Sequence, residues 1–124
     1  MEYALETYQM YKLYGPKPED EMAEVKVLLR RGAQTIEGIG KGIGLEDAML
    51  QAVGMATGLG DLLESTSHHQ RVEHSGLAYA FPMLHVKGED KPLSTFGVGR
   101  TDETALVNAV LHGANKLLHE RAAK

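Results

Sequence analysis

The chain has 124 residues, 43% hydrophobic and 24% charged, with a formal net charge of −4 and no cysteine. That length allows one domain with a real core but no barrel enzyme, and the acidic balance speaks against nucleic acid or an anionic membrane as partner. Without cysteine there is no disulfide, thiolate metal site or thiol nucleophile, and no apolar run nears the roughly 18 residues of a membrane span.

Residues 3–14 carry tyrosines at 3, 8, 11 and 14, which favours a strand over the helix that Ala4, Leu5, Glu6 and Met10 would also tolerate. Two prolines make 15–20 a turn. From Met22 to Arg30, Val25, Val27 and Leu29 alternate with Glu24, Lys26 and Leu28, as in a half-buried strand. Arg31-Gly32 predicts a tight connection, and 34–39 pairs back as the other arm of a hairpin. Gly38, Gly40, Gly42 and Gly44 follow at every second position. Leu45, Ala48, Met49, Ala52 and Met55 then fall at helical spacing, with Glu46 and Asp47 in the first turn and Gly58 and Gly60 as the stop.

The second half repeats this order. Residues 61–74 are polar and β-compatible, and 77–86 are more apolar, with Pro82 marking an edge or bulge. Gly88-Glu89-Asp90-Lys91 is a hairpin turn signal before 93–96. Thr101 is placed to cap a helix whose first turn holds Asp102 and Glu103. Leu106, Val110, Gly113 and Leu117 form its stripe, and His119, Arg121 and Lys124 bring positive charge to its end. The expected fold is α+β, two pseudo-symmetric βββα units (about 3–58 and 61–122) in a single 1–124 domain. Helices should cover one side of antiparallel sheet.

Gly42-Ile43-Gly44-Leu45-Glu46-Asp47 and Gly97-Val98-Gly99-Arg100-Thr101-Asp102 share the pattern Gly, aliphatic, Gly, two residues, Asp, and their separation is close to half the chain. Two roles fit such glycines: backbone N–H groups that receive a carboxylate or phosphate, or close packing of helix on sheet. A dinucleotide fingerprint does not fit, because Ile43 or Leu45 occupies the third glycine position.

The order of Gly40-Lys41-Gly42-Ile43-Gly44-Leu45-Glu46-Asp47-Ala48, Ser75-Gly76-Leu77-Ala78, Gly97-Val98-Gly99-Arg100-Thr101-Asp102 and Ala114-Asn115-Lys116-Leu117 resembles the C-terminal regulatory domain of α-isopropylmalate and citramalate synthases. The likeness runs from Tyr3 to about Leu118. It implies a homodimer of two βββα units per chain that binds a branched-chain amino acid, leucine or isoleucine, as feedback effector. It places the effector at Gly42, Ile43, Gly44 and Leu45, with Ala48 on the first helical turn and Ala78 on the neighbouring strand; Gly97 and Gly99 are the second-loop candidates. The family usually has Asn and Pro where this chain has Ile43 and Leu45. Its catalytic barrel has no counterpart here, so the implied role is non-catalytic, in trans on a separate synthase, or structural dimerisation with effector binding lost. No cofactor is expected, and the expected address is the cytoplasm.

His68, His69, His74 and His85 lie in one short segment. Neighbours on a strand point to opposite faces, and no His-Glu-x-x-His spacing occurs, so solvated or interface histidines are expected rather than a metal site. Asp47 and Asp102 are explained by the helix dipole without an acid–base role. The tyrosines of 3–14 are expected in sheet or dimer packing.

Overall fold

A computed structural model describes residues 2–13, 16–17, 22–64, 70–89 and 91–122. The chain divides into two compact units, Met1–Asp61 and Leu62–Lys124.

In the first unit, β1 (Ala4–Leu13), β2 (Met22–Arg31) and β3 (Gln34–Gly42) form an antiparallel meander in the order β1-β2-β3, followed by α1 (Leu45–Thr57). Residues 4–13 are thus a strand, as their tyrosines suggest. Of the turn expected at 15–20, only Pro16 and Lys17 lie within the described residues, where the chain bends. Between Arg31 and Gln34 the chain reverses through Gly32 and Ala33, with a positive φ of 63° at Gly32 alone. Positive φ at the first central residue is the II′ pattern, whose twist matches that of the flanking strands.

Alternation along β2 buries Ala23, Val25, Val27 and Leu29. It sends Glu24 and Lys26 to the opposite face, where Lys26 pairs with Glu37 at 3.2 Å and Glu24 with Lys41 at 3.7 Å. The first pair is diagonal across the ladder and the second directly opposite. Both are largely solvated, so each contributes about 0–1 kcal/mol. α1 ends at Gly58 in the left-handed region (φ 77°), its N–H donating to the Met55 carbonyl.

The second unit contains β4 (Leu62–Glu64), β5 (Gln70–His74), β6 (Leu77–Phe81), β7 (Met83–Val86), β8 (Leu93–Ser94), β9 (Gly97–Gly99) and α2 (Asp102–Ala122). They form two three-stranded antiparallel ladders, β4-β7-β8 and β5-β6-β9. The interruption is local. Ala78↔Gly99, Ala80↔Gly97, Met83↔Ser94 and Leu84↔Leu93 all keep one register. Pro82, opposite Thr95, lacks the N–H needed to close the ladder. Thr95 still donates its own N–H to the Pro82 carbonyl at 3.1 Å. Between β6/β7 and β9/β8 the ladder is therefore continuous with one rung removed. The pairings of β4 with β7 (Leu62↔Val86) and of β5 with β6 (Gln70↔Phe81) are in different registers.

Its β5–β6 hairpin turns on Ser75 and Gly76, both at positive φ (54° and 77°), the I′ pattern. After β7 the chain turns at Lys87 and Gly88 (φ 87°), closed by the Glu89 N–H bond to the Val86 carbonyl at 2.9 Å; of the turn expected at 88–91, Asp90 lies outside the described residues. Arg121 of α2 reaches that turn through Glu89 at 2.9 Å.

In each unit the helix packs on one side of antiparallel sheet, which makes the fold α+β. α1 lies on β3 and β2; α2 lies on β9, β6 and β8. Among the described residues, no helix is long and apolar enough to cross a membrane.

Candidate functional site

The glycines that end β3 and β9 are occupied first of all by the helices. A Cβ on Gly40 would overlap the Ala48 carbonyl oxygen and come within 2.6 Å of the Ala52 nitrogen. On Gly97 it would overlap the Ala105 carbonyl oxygen and the Ala109 nitrogen. On Gly42 it would meet Asp47 Cβ at 2.8 Å and the Ala48 nitrogen at 3.1 Å; on Gly99, Thr104 Cβ at 2.7 Å and the Ala105 nitrogen at 2.8 Å. The helix backbone thus rests directly on the strand, over Ala48 and Ala52 in the first unit and Ala105 and Ala109 in the second. Ala78, Ala80, Ala105 and Ala109 form one buried cluster of this kind.

These paired contacts set the true register of the repeat. Gly97 follows Gly40, Gly99 follows Gly42, Ala105 follows Ala48 and Ala109 follows Ala52, every one at the same interval along the chain. The alignment of Gly42 with Gly97 is therefore displaced by one glycine pair. Gly97 and Gly99 correspond in packing to Gly40 and Gly42, and the residue matching Gly44 is Thr101.

That last equivalence separates the two helix starts. Thr101 Oγ1 accepts the Thr104 N–H at 3.1 Å, so α2 is capped as its sequence predicts. At the start of α1, Gly44 stands in ordinary extended backbone (φ −131°, ψ 168°) with no side-chain cap. A Cβ built on Gly44 meets nothing within 4 Å, and Ile43 beside it is 86% exposed. The Thr101 cap contributes about 1 kcal/mol. Thr101→Ala should accordingly lower the melting temperature by roughly 4–8 °C, a range typical of small domains. Gly44→Ala, which removes no cap, should leave the melt within a degree or two of wild type.

The remaining candidates fall into place around these starts. Gly42, Ile43, Gly44 and Leu45 are consecutive at the β3–α1 junction, and Ala48 is buried one turn further on. Ala78 is the direct partner of Gly99 across β6 and β9. Asp47 and Asp102 lie in first helical turns, as expected. His68 and His69 lie outside the described residues; His74 pairs with Leu77 in one ladder and His85 with Leu63 in another. Among the described residues no group of His, Asp or Glu is placed to hold a metal ion.

Two functional-looking amides escaped the sequence reasoning. Gln51 Oε1 accepts the Lys41 N–H at 3.4 Å, and Asn108 Nδ2 donates to the Val98 carbonyl at 2.8 Å. Asn108 follows Gln51, and Val98 follows Lys41, at the interval that relates the glycines. Both helices thus use a carboxamide to occupy backbone groups on the free edge of their sheet, at β3 and β9. The signal was present as a polar residue at one fixed step after the helix start in both repeats.

The second unit also exposes Phe81 and Phe96, stacked at 6.4 Å between ring centroids, with His112 5.9 Å from Phe96.

A scan against protein-family models finds no match to this chain, and neither does a search of curated proteins.

Proposed function

We propose that the chain is a non-catalytic regulatory domain that binds leucine or isoleucine at the β3–α1 junction, acts as a cytoplasmic homodimer, and serves a separate synthase catalytic subunit. The observation that carries this reading is the uncapped, open start of α1 at Ile43-Gly44-Leu45. A helix start whose N-cap residue, Gly44, brings no side-chain acceptor suits a carboxylate. The exposed Asp47 in the same turn offers an acceptor to an ammonium, so a zwitterion answers both charges. Ile43 and Leu45 supply apolar surface to an aliphatic side chain and none of the hydrogen bonds that a hydroxyl would seek. Within the set of residues implied by the resemblance to α-isopropylmalate synthase regulatory domains, this geometry supports Gly44, Ile43 and Leu45 over Gly97 and Gly99, which lie against α2.

A second reading, an assembly module without effector, draws on the same glycines. Gly40, Gly42, Gly97 and Gly99 are all accounted for by helix packing.

Calorimetry with leucine, isoleucine, valine and threonine separates the two. We expect the aliphatic amino acids to bind more tightly than threonine. Gly44→Val should weaken them at least about tenfold while leaving the melt unchanged, because the site has open space and an ordinary φ. If wild type binds none of the four, the assembly module replaces this reading. If Gly44→Val binds as well as wild type, the effector is not held at this junction.

A further inference from the structure

We infer that two copies of the chain join edge to edge through β3, antiparallel about a two-fold axis at Ile39. This rests on the homodimer in the reading above and states where that dimer closes.

β3 is an outer strand of its sheet, and its register with β2 is unbroken from Gln34 to Gly42. Thr35, Glu37, Ile39 and Lys41 are exposed on the face away from α1, because Gly38, Gly40 and Gly42 between them turn to the helix. Gln51 guards one group of this edge, the outward Lys41 N–H, but at 3.4 Å its bond is long. A facing carbonyl at ordinary length would displace it. By the alternation of an antiparallel strand, the backbone groups of Glu37 and Ile39 point outward as well.

The exposed face of this edge is complementary to itself. Reversal about Ile39 sets Ile39 opposite the partner's Ile39, and Glu37 opposite the partner's Lys41, the second contact occurring twice. Glu37 already binds Lys26 at 3.2 Å, and Lys41 binds Glu24 at 3.7 Å. Joined, they make two rows of alternating charge: Lys26, Glu37, the partner's Lys41, the partner's Glu24. An axis at Glu37 or at Lys41 would instead set like charges opposite each other.

The helix side fits too. Adjacent strands lie about 4.8 Å apart and α1 sits over β3, so the two α1 helices would run antiparallel about 9–10 Å apart, the spacing of packed helices. Asp47, Gln51 and Met55, at steps of four, are the exposed ridge of α1. The reach of Gln51 to Lys41 shows that this ridge overhangs the edge, so Met55, 64% exposed, gains a helix to lie against. The second unit repeats none of this charge pattern. Ser94, Phe96 and Val98 stand there at the positions of Glu37, Ile39 and Lys41. One self-complementary patch per chain closes a two-fold dimer rather than a filament.

Because the chain has no cysteine, Ile39→Cys gives a single thiol on the axis. Residues directly opposite on paired strands bring their Cβ atoms to about 4.5–5.5 Å, within reach of a short bifunctional thiol cross-linker. Expected results are a wild-type dimer in sedimentation equilibrium at tens of micromolar and near-complete cross-linking of Ile39→Cys. Thr7→Cys, exposed on β1 at the other edge, should stay monomeric on a denaturing gel. Glu37→Lys and Lys41→Glu should each weaken the dimer at least about tenfold. The double exchange should restore it, although the pairs with Lys26 and Glu24 inside each chain stay broken. A monomeric wild type would overturn both the homodimer and this interface. A wild-type dimer whose Ile39→Cys variant cross-links no better than Thr7→Cys, or whose charge variants do not rescue one another, would overturn the β3 interface and leave the homodimer standing.

Discussion

Gly97→Ala is expected to lower the melting temperature of the full chain by about 15 °C or more, and Gly40→Ala by a comparable amount. The added methyl has no room: at Gly97 it overlaps the Ala105 carbonyl oxygen and the Ala109 nitrogen and lies 2.8 Å from Ala109 Cα. All three are backbone atoms of a hydrogen-bonded helix, so relief requires α2 to lift off β9 rather than a side chain to turn. Overpacking of well-filled cores costs about 1–3 kcal/mol and sometimes more. A clash with rigid backbone belongs at the upper end, and each kcal/mol moves a small domain by roughly 4–8 °C. Lifting α2 would also loosen Asn108 from Val98 and Thr95 from the Ala109 carbonyl, adding to the loss. The same methyl on Gly44 meets nothing within 4 Å, so Gly44→Ala serves as an internal control for the substitution itself. Thermal melts followed by circular dichroism decide the matter. A Gly97→Ala protein that melts with wild type would mean that helix and strand are not in the contact described.

How far these features could be read from residues alone depends on whether the governing contact is local. The buried face of β2 was legible because Val25, Val27 and Leu29 form an unbroken apolar face while the other face holds Glu24 and Lys26, and a one-residue slip would expose all three. Thr101 was legible as a cap because capping acts within a single helical turn. Pro82 was legible as a break because a missing N–H is a property of one residue.

The register of the repeat was not. Gly40, Gly42 and Gly44 offer the same Gly-x-Gly pattern twice in overlapping frames, so the second-half motif matches either pair. The choice is made by an insertion in the hairpin between the second and third strands. Val25 pairs with Gly40, and Ala80 pairs with Gly97. The stretch from Ala80 to Gly97 is longer than that from Val25 to Gly40 by one glycine step, so the second unit's hairpin carries the longer loop. Turn length sets register without leaving a trace in the glycines themselves. As for the proposed site, the glycine run leads to the β3–α1 junction, where the open part is the Ile43-Gly44-Leu45 step, because the space over Gly40, Gly42, Gly97 and Gly99 is taken by the helices.

One pair of substitutions tests the duplication itself. In the first unit Gly38 faces Ala56; in the second, Thr95 faces Gly113, and both members stand at the interval that relates Gly40 to Gly97. A Cβ on Gly38 would overlap the Ala52 carbonyl oxygen and come within 2.8 Å of Ala56 Cβ, whereas one on Gly113 would come within 2.8 Å of Leu84 Cδ1 and 3.3 Å of Thr95 Cγ2. In the first unit the helix backbone and Ala56 together close the crossing to a strand side chain; in the second the strand carries the side chain and the helix the glycine.

Thr95 donates its hydroxyl to the Ala109 carbonyl at 3.1 Å, buried where its ladder partner Pro82 has no N–H. Thr95→Gly removes that bond, worth about 1 kcal/mol, together with packed methyl contacts and the strand preference over glycine, for a loss of about 2–3 kcal/mol. Gly113→Ala gains about 1 kcal/mol of helix propensity and loses it again against Thr95 and the movable end of Leu84, for a net change near zero or mildly unfavourable. Together the two changes rebuild the Gly38–Ala56 arrangement: alanine keeps its propensity gain and the threonine methyl it would strike is gone. The double variant should therefore be more stable than the sum of the single effects by about 1–2 kcal/mol, within the range seen for residues in contact. Urea unfolding of the four proteins measures this coupling directly. Additivity to within about 0.3–0.5 kcal/mol, the behaviour of independent sites, would show that the two positions do not share the space the repeat assigns them.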